Sequence, residues 1–198
     1  MADNVAVTAG SGTSIAADDI SSVWYQRVKM VIGADGTNDG DIAATNPMPV
    51  SAAYKVVTVT CSLPIGALSD GDVMFDTQEI AAAVQLSGGV SILQSVTVLD
   101  KDDQGIAFDL VFLDAATSIG TEDSAVSITD ADAEDILGVV SIVAGDYVDF
   151  IASQVATKTG IGLELQSSAS TSLYVAGITR GTPTYTASGV LIKFAFLV

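Results

Sequence analysis

The chain has 198 residues, which is enough for one domain of ordinary size with a smaller appendage. Hydrophobic residues make up 49% of it and charged residues 16%, a composition that excludes disorder of the whole chain. There are 7 Lys and Arg against 24 Asp and Glu, so the net charge is −17 and a polyanion such as DNA would be repelled. Direct binding to nucleic acid is therefore not expected.

Histidine and several common catalytic motifs are missing from the sequence. Histidine is absent, which removes the side chain most often used for proton transfer near neutral pH and the commonest metal ligand. The sequence contains no Ser-x-x-Lys spacing, no Gly-x-Ser-x-Gly elbow and no phosphate-binding Gly-x-x-x-x-Gly-Lys loop. The single cysteine, Cys61, has no partner for an internal disulfide and is expected to be a small buried residue. We therefore expect no enzymatic activity, no catalytic residues and no cofactor or bound metal.

The hydropathy pattern argues against a membrane protein. The N-terminal residues MADNVAVTAGSGTSIAADD lack the basic flank and the continuous apolar stretch of a secretory signal. No apolar run reaches the roughly 18 residues that a membrane-spanning helix requires. The positive mean hydropathy is expected to come from buried strands instead.

The first 50 residues have the pattern of an extended arm with one strand in it. Residues 1–19 are small and polar, and glycines interrupt any periodicity. Residues 23–32 then alternate as a strand of about ten residues. The loop GADGTNDGD follows, and the exit NPMPV restricts the backbone at two prolines.

That loop also contains four oxygen donors of the kind that Ca²⁺ prefers, namely Asp35, Asn38, Asp39 and Asp41. Their spacing departs from an EF-hand, because Thr37 stands at the third position and Asn46 replaces the bidentate glutamate. A turn is therefore favoured over an ion site.

Beyond Ser51, short β-type segments are separated by Gly, Asp, Ser and Pro at intervals typical of a sandwich or small barrel. The predicted strands cover residues 54–63, 73–75, 84–86, 89–100, 106–114, 126–128, 147–156, 161–165, 173–182 and 190–197. One short helix is predicted in SITDADAEDILG, with Thr129 as its N-cap and Gly138 at its end. The expected fold is mainly β: an antiparallel β-sandwich or barrel-like domain with one short helix over residues 51–198, preceded by an extended N-terminal arm over residues 1–50.

The centre of the sheet and the core are also predicted from the pattern. The segments SILQSVTVLD and IAFDLVFLD, joined by KDDQG, are typical of one long hairpin. The predicted core consists of Val96, Val98, Ala107, Leu110, Phe112, Val148, Phe150, Val175, Ile192, Phe194 and Phe196.

The strand at residues 23–32 supports two interpretations. Its apolar side chains could pack on the main domain, or the strand could add to the sheet edge of another protein. Polar, glycine-containing segments on both sides favour the second interpretation. On that interpretation the partner-binding residues are Trp24, Tyr25, Arg27 and Lys29.

The stretch VWYQRVKMVIGADGTNDGDIAATNPMPV resembles a segment near the N-termini of tailed-bacteriophage virion proteins. The shared form is an aromatic residue, a short basic strand, a Gly-x-Asp-Gly loop and an Asn-Pro-x-Pro-Val exit. Three later segments are similar to a family of phage structural proteins: LQSVTVLDKDDQGIAFDLVFLDA, ITDADAEDILGVVSIVAGDYVDF and TSLYVAGITRGTPTYTASGVLIKFAFLV. The resemblance implies a virion structural protein of the capsid decoration, or cement, type.

A decoration protein made in the host cytoplasm would bind the major capsid protein on the outer surface of the head. The resemblance implies a homotrimer or another homo-oligomer, because decoration proteins often lie on threefold and quasi-threefold axes. One alternative is a tail, neck or fibre-base component of the virion. A receptor or glycan-binding module is less favoured, because aromatic residues make up only 6% of the chain.

Overall fold

A computed structural model of the protein describes residues 17–20, 23–26 and 53–198. The chain divides into two compact units, Met1–Ser51 and Ala52–Val198. In the first unit, strand β1 (Ala17–Ile20) pairs antiparallel with strand β2 (Val23–Gln26). The strand predicted over residues 23–32 thus begins at Val23, and residues 27–32 lie outside the described part of the chain.

The second unit is built almost entirely from strands. They are β3 (Tyr54–Thr60), β4 (Gly66–Ala67), β5 (Val73–Ile80), β6 (Val90–Asp100), β7 (Phe108–Leu113), β8 (Ile136–Ile142), β9 (Tyr147–Asp149), β10 (Gln154–Gln166), β11 (Leu173–Thr179), β12 (Thr184–Tyr185) and β13 (Val190–Leu197). A single α-helical turn, α1 (Asp130–Ala133), and one 3₁₀ turn (Ala144–Asp146) complete the described elements. The predicted fold class, mainly β with antiparallel sheets and one short helix, is confirmed.

The strands form two principal sheets that enclose one core. The five-stranded sheet has the order β3-β13-β6-β10-β9, and the four-stranded sheet has the order β5-β11-β7-β8. Phe112 of β7 meets Phe194 of β13 edge to face, with ring centroids 5.6 Å apart. This contact joins the two sheets across the core, and the aromatic geometry adds to the free energy of burial.

Strand β13 illustrates why the sequence folds this way. Its sequence VLIKFAFL alternates strictly, and Val190, Ile192, Phe194 and Phe196 are all buried in the core. Successive side chains of a strand point to opposite faces, so the residues between them face outward. Each fully buried side chain of this size stabilises the fold by about 1.5–3 kcal/mol.

A second, smaller core lies on the outer side of the four-stranded sheet. It contains Val73, Val111, Leu113, Ile119 and Ala176. Ile119 comes from the segment between β7 and α1, so this connection covers the outward-facing side chains of the sheet. The loop is anchored by backbone hydrogen bonds, including Ser127 N to Ile119 O at 2.9 Å.

The predicted central hairpin is wrong, because β6 and β7 lie in different sheets. Asp100 ends β6 with its carboxylate fully buried, and it accepts hydrogen bonds from the backbone N–H groups of Asp102, Gln104 and Gly105 at 3.0, 2.9 and 2.8 Å. Asp103 and Gly105 take positive φ values of 56° and 58°. This turn directs the chain out of one sheet and across to the other.

The predicted helix is shorter than expected. Thr129 is the N-cap as predicted, and its side-chain oxygen accepts a hydrogen bond from Asp132 N at 3.2 Å. The helix ends after Ala133, and ILGVVSI forms strand β8 at the edge of the four-stranded sheet. The backbone N–H and C=O groups of β8 form hydrogen bonds with β7, so they do not need the hydrogen bonds that a longer helix would provide.

The predicted strand at residues 147–156 is two strands, β9 and β10, joined by a tight turn. Asp149 Oδ1 accepts a hydrogen bond from Ile151 N at 2.6 Å, and Phe150 N donates to Ser153 O at 2.8 Å. These bonds reverse the chain, so Val148 and Phe150 are exposed and were wrongly placed in the core.

The remaining predictions have mixed outcomes. The predicted core residues in β6, β7, β11 and β13 are buried, whereas Ala107 is only half-buried. Residues 84–86 and 126–128 form no strand. The strand predicted at 161–165 is the second half of β10, which continues past a bulge at Gly160 and Gly162, both with positive φ.

Candidate functional site

A shallow pocket of ≈ 230 Å³ lies between residues 114–116 and residues 168–170. Ser168 Oγ donates a hydrogen bond to Asp114 O, and Ser170 Oγ donates to Ser172 O. Among the residues that the structure describes, no lysine lines the pocket, so neither hydroxyl is paired there with a base of the kind that activates a nucleophile. Burial and the neighbouring Asp135 raise the pKa of Asp114. Both hydroxyls in this pocket are engaged with backbone carbonyl groups.

Buried titratable groups gather at one end of the sandwich. Burial raises the pKa of Asp100, and the backbone hydrogen bonds that it accepts oppose this effect. Burial also raises the pKa values of Tyr147 and Tyr185, and the nearby Asp100 carboxylate adds to the effect. The carboxylate organises the turn after β6, so we assign these groups to the structure of the fold. Within residues 17–20, 23–26 and 53–198, no group of three or more His, Cys, Asp or Glu is placed to hold a metal ion.

The most distinctive surface is the outer face of the five-stranded sheet, which we call the acid-poor face. Its residues alternate along each strand with those that fill the core. The acid-poor face consists of Tyr54, Val56, Thr58, Thr60, Ile92, Ser95, Thr97, Leu99, Val148, Val155, Thr157, Thr159, Glu164, Leu191, Lys193, Ala195 and Leu197. One of these residues is acidic and one is basic.

Apolar side chains run across the acid-poor face in register. Leu191 lies between Thr60 and Leu99, and Leu99 pairs onward with Val155, which pairs with Val148. At the opposite end of the strands, Tyr54 and Val56 are 77% and 63% exposed. Soluble domains rarely expose a contiguous apolar sheet face without a binding partner.

The turn between β9 and β10 extends the apolar surface at one corner. Phe150 and Ile151 are 60% and 92% exposed. Ile151 has a φ of 76°, which is an uncommon conformation for a β-branched residue. The hydrogen bond to Asp149 Oδ1 holds it there, so a hydrophobic tip is displayed on a constrained turn.

The opposite outer side of the sandwich has a very different charge. There Asp76 accepts hydrogen bonds from Ser118 Oγ and Ile119 N at 2.8 and 3.2 Å, and Glu122 accepts one from Asp76 N. Other carboxylates on this side are Glu79, Asp109 and Asp135. We call it the acid-rich side. The ion pair between Arg180 and Asp109, 2.7 Å apart, offsets part of its charge.

The partner-binding residues predicted from sequence are only partly within the described chain. Trp24 and Tyr25 belong to β2, opposite Asp19 and Asp18 of β1. Arg27 and Lys29 lie outside the described residues, as does the calcium-like loop at residues 35–41. The structure therefore places none of these four side chains, and their role stays a prediction.

Sequence reasoning missed the acid-poor face, although a signal was present. The outward positions of β3 and β13 read Tyr, Val, Thr, Thr and Leu, Lys, Ala, Leu, with one charge among them. In a chain with a net charge of −17, two outward-facing strand surfaces almost free of acids are unusual. Reading the polar side of each strand for missing charge would have identified the surface.

No protein-family model matches the chain, and no curated protein or solved structure was found to be similar to it. Within the part of the chain that the structure describes, no helix is long and apolar enough to cross a membrane.

Proposed function

We propose that the protein is a non-enzymatic virion structural protein that binds the outside of a phage head and stabilises the capsid lattice. The observation that supports this proposal best is the separation of charge, with an apolar acid-poor face on one side of the sandwich and acids on the other. Such a surface suits contact with proteins rather than with a small substrate. The type of virion role rests on the sequence resemblance.

In this proposal, two regions of the protein make different contacts. The arm residues Trp24, Tyr25, Arg27 and Lys29 attach the protein to the major capsid protein, where opposite charge steers association. The β-domain then covers the seams between capsid subunits, and its acid-poor face makes a further contact with protein. Each such contact contributes roughly 25 cal/mol per Å² of apolar surface that is buried.

The acid-rich side faces solvent in this arrangement. Packaged DNA lies inside the head, so an acidic protein on the outside is not repelled by it at close range. The same charge keeps neighbouring particles apart and so maintains solubility.

An electron-microscopy map of the assembled particle tests this proposal. We expect on the order of hundreds of copies, arranged with the symmetry of the head, on its outer surface. The double charge reversal R27E/K29E should lower the copy number, because it removes the steering charge from the arm. The matched reversal K55E/K101E, which changes two lysines of the β-domain, should leave it unchanged. A protein found at about a dozen copies in the tail, or absent from particles, would show the proposal to be wrong.

A further inference from the structure

We propose that the acid-poor face binds the same face of a second copy of this chain, giving a two-fold symmetric dimer. The inference rests on the proposed function only in treating this face as a protein-contact surface. It names the partner for that contact.

Charge identifies the partner. A basic protein would be attracted to the acid-rich side, where Asp76, Glu79 and Asp109 lie, and not to a surface with one cation and one anion. A second copy, with the same net charge of −17, is repelled by acidic surfaces wherever the two molecules approach through them. The acid-poor face is a surface through which two copies can meet with least repulsion.

The two charged residues of the face, Lys193 and Glu164, are placed so that each can pair with the other residue of a second copy. Lys193 on β13 lies opposite Thr97 of β6, and Glu164 on β10 lies opposite Ile92 of the same strand. By strand spacing and rise they are roughly 17 Å apart, which is too far for them to pair within one copy. Neither forms an ion pair with another described residue.

A two-fold axis in the plane of the interface pairs both charges at once. Because β13 and β10 flank β6, the point midway between Lys193 and Glu164 falls on β6 near Ser95, at the centre of the face. An axis through that point, perpendicular to the line from Lys193 to Glu164, brings Lys193 of each copy to Glu164 of the other. A face that meets itself in this way is isologous and closes as a dimer. The sequence resemblance led us to expect a homotrimer or another homo-oligomer, and measuring the mass in solution distinguishes a dimer from a trimer.

The area of the face fits a weak, reversible contact. About seven residues along each of four strands, with the three-residue β9 beside them at one end, give about 23 by 20 Å, or roughly 450 Å² on each copy. Two such faces bury about 900 Å², which is close to the lower limit for a specific interface. We therefore expect a dimer whose population depends on protein concentration.

Sedimentation velocity of the full-length chain, from about 1 µM to about 1 mM, tests the proposal. The unchanged chain should shift from monomer to dimer across this range. V56E, on the acid-poor face, should weaken dimerisation at least about tenfold, because it buries an unpaired charge. V139E is the matched control, since Val139 is 53% exposed in a strand of the other sheet, and should dimerise like the unchanged chain.

Charge exchange provides the sharper test. K193E and E164K should each weaken dimerisation, because each places like charges opposite one another at two symmetric positions. The double variant K193E/E164K should restore dimerisation to within about threefold of the unchanged chain, because the pairs re-form with reversed sign. Circular dichroism spectra of all variants should match, which excludes unfolding as the cause.

Three results would overturn the inference: a full-length chain that stays monomeric throughout, a trimer that V56E does not affect, or a double variant no better than its parents. None of them bears on whether the protein is found on phage heads. Conversely, a dimer that is absent from particles would refute the proposed function and leave this inference intact.

Discussion

Cys61 is a fully buried residue just after β3, with its backbone N–H donating to Val190 O at 2.9 Å. Burial raises the pKa of its thiol to about 12, so almost no reactive thiolate is present at about pH 8. We expect a chromogenic disulfide reagent to label less than about one-tenth of the folded chains in an hour at this pH, and all of them in about 6 M guanidinium chloride. Rapid labelling of the folded protein would show that Cys61 is accessible.

The Asp100 carboxylate satisfies three backbone N–H groups in the turn that follows β6. Replacing it with alanine removes both acceptor oxygens, and each buried donor left without a partner costs roughly 1–3 kcal/mol. We expect Asp100→Ala to lower the free energy of unfolding by at least about 3 kcal/mol in urea titrations, and Asp100→Asn, which keeps one oxygen, to lower it by less. Equal and small effects of the two substitutions would contradict the role given to this residue.

The turn between β9 and β10 displays Phe150 to solvent, whereas Phe112 is fully buried between the sheets. Phe112→Ala should lower the free energy of unfolding by about 3–5 kcal/mol, because it leaves a cavity in the core. Phe150→Ala should change it by less than about 0.5 kcal/mol, as expected for a surface position. Urea titration of both variants checks this pair. A large loss of unfolding free energy for Phe150→Ala would show that Phe150 belongs to the core, as its hydrophobic character alone predicts.

The 3₁₀ turn before β9 is linked to β10 by the ion pair between Asp146 and Lys158, 3.0 Å apart. The hydrogen bond from Val143 N, followed by that from Lys158, lowers the pKa of Asp146. The folded-state pKa therefore lies below the unfolded value of about 3.9, so the stabilisation is complete above that pH and is lost as the pH falls through the folded pKa.

Asp146→Asn should accordingly be less stable than the unchanged chain at about pH 6, and the difference should shrink below about pH 4. Thermal melts of both proteins across this range measure the effect. A difference that stays constant, or grows, on acidification would contradict the assigned cause. Asp132→Asn, on the exposed helical turn, serves as a control in which no ion pair is removed.

At the scale of the whole molecule, the net charge of −17 sets the response to salt. Repulsion among carboxylates of the acid-rich side destabilises the folded state, and added salt screens it within a Debye length of about 8 Å at 0.15 M. We expect the melting temperature to rise by several degrees between about 0.01 and 0.5 M NaCl. Sodium chloride is suitable because it has little effect on apolar hydration. A falling melting temperature would show that attractive ion pairs dominate instead.

The positions of strands could be predicted well where apolar and polar residues alternate without interruption, as in β13. They were predicted poorly where a side-chain hydrogen bond creates a turn. The segment from Tyr147 to Ala156 alternates well enough to be one strand, yet Asp149 reverses the chain within it. Likewise β6 and β7 have the pattern of a hairpin, yet the Asp100 turn sends them to different sheets. In both cases one aspartate outweighs the periodicity of the residues around it, because it satisfies backbone groups that a continuous ladder would otherwise satisfy.

The sequence by itself determined that this protein is a mainly β, strongly acidic domain, because period-two hydrophobicity and charge are read directly from neighbouring residues. Only the tertiary structure decided which outward-facing side chains are covered. Val111 of β7 is buried beneath Ile119, while Leu191 and Val56 of the other sheet lie on an exposed face. All of them alternate with core residues in their strands, so their local patterns are equivalent. They differ in burial because the segment between β7 and α1 crosses the outer face of the four-stranded sheet. The path of that segment depends on contacts between residues far apart in the chain.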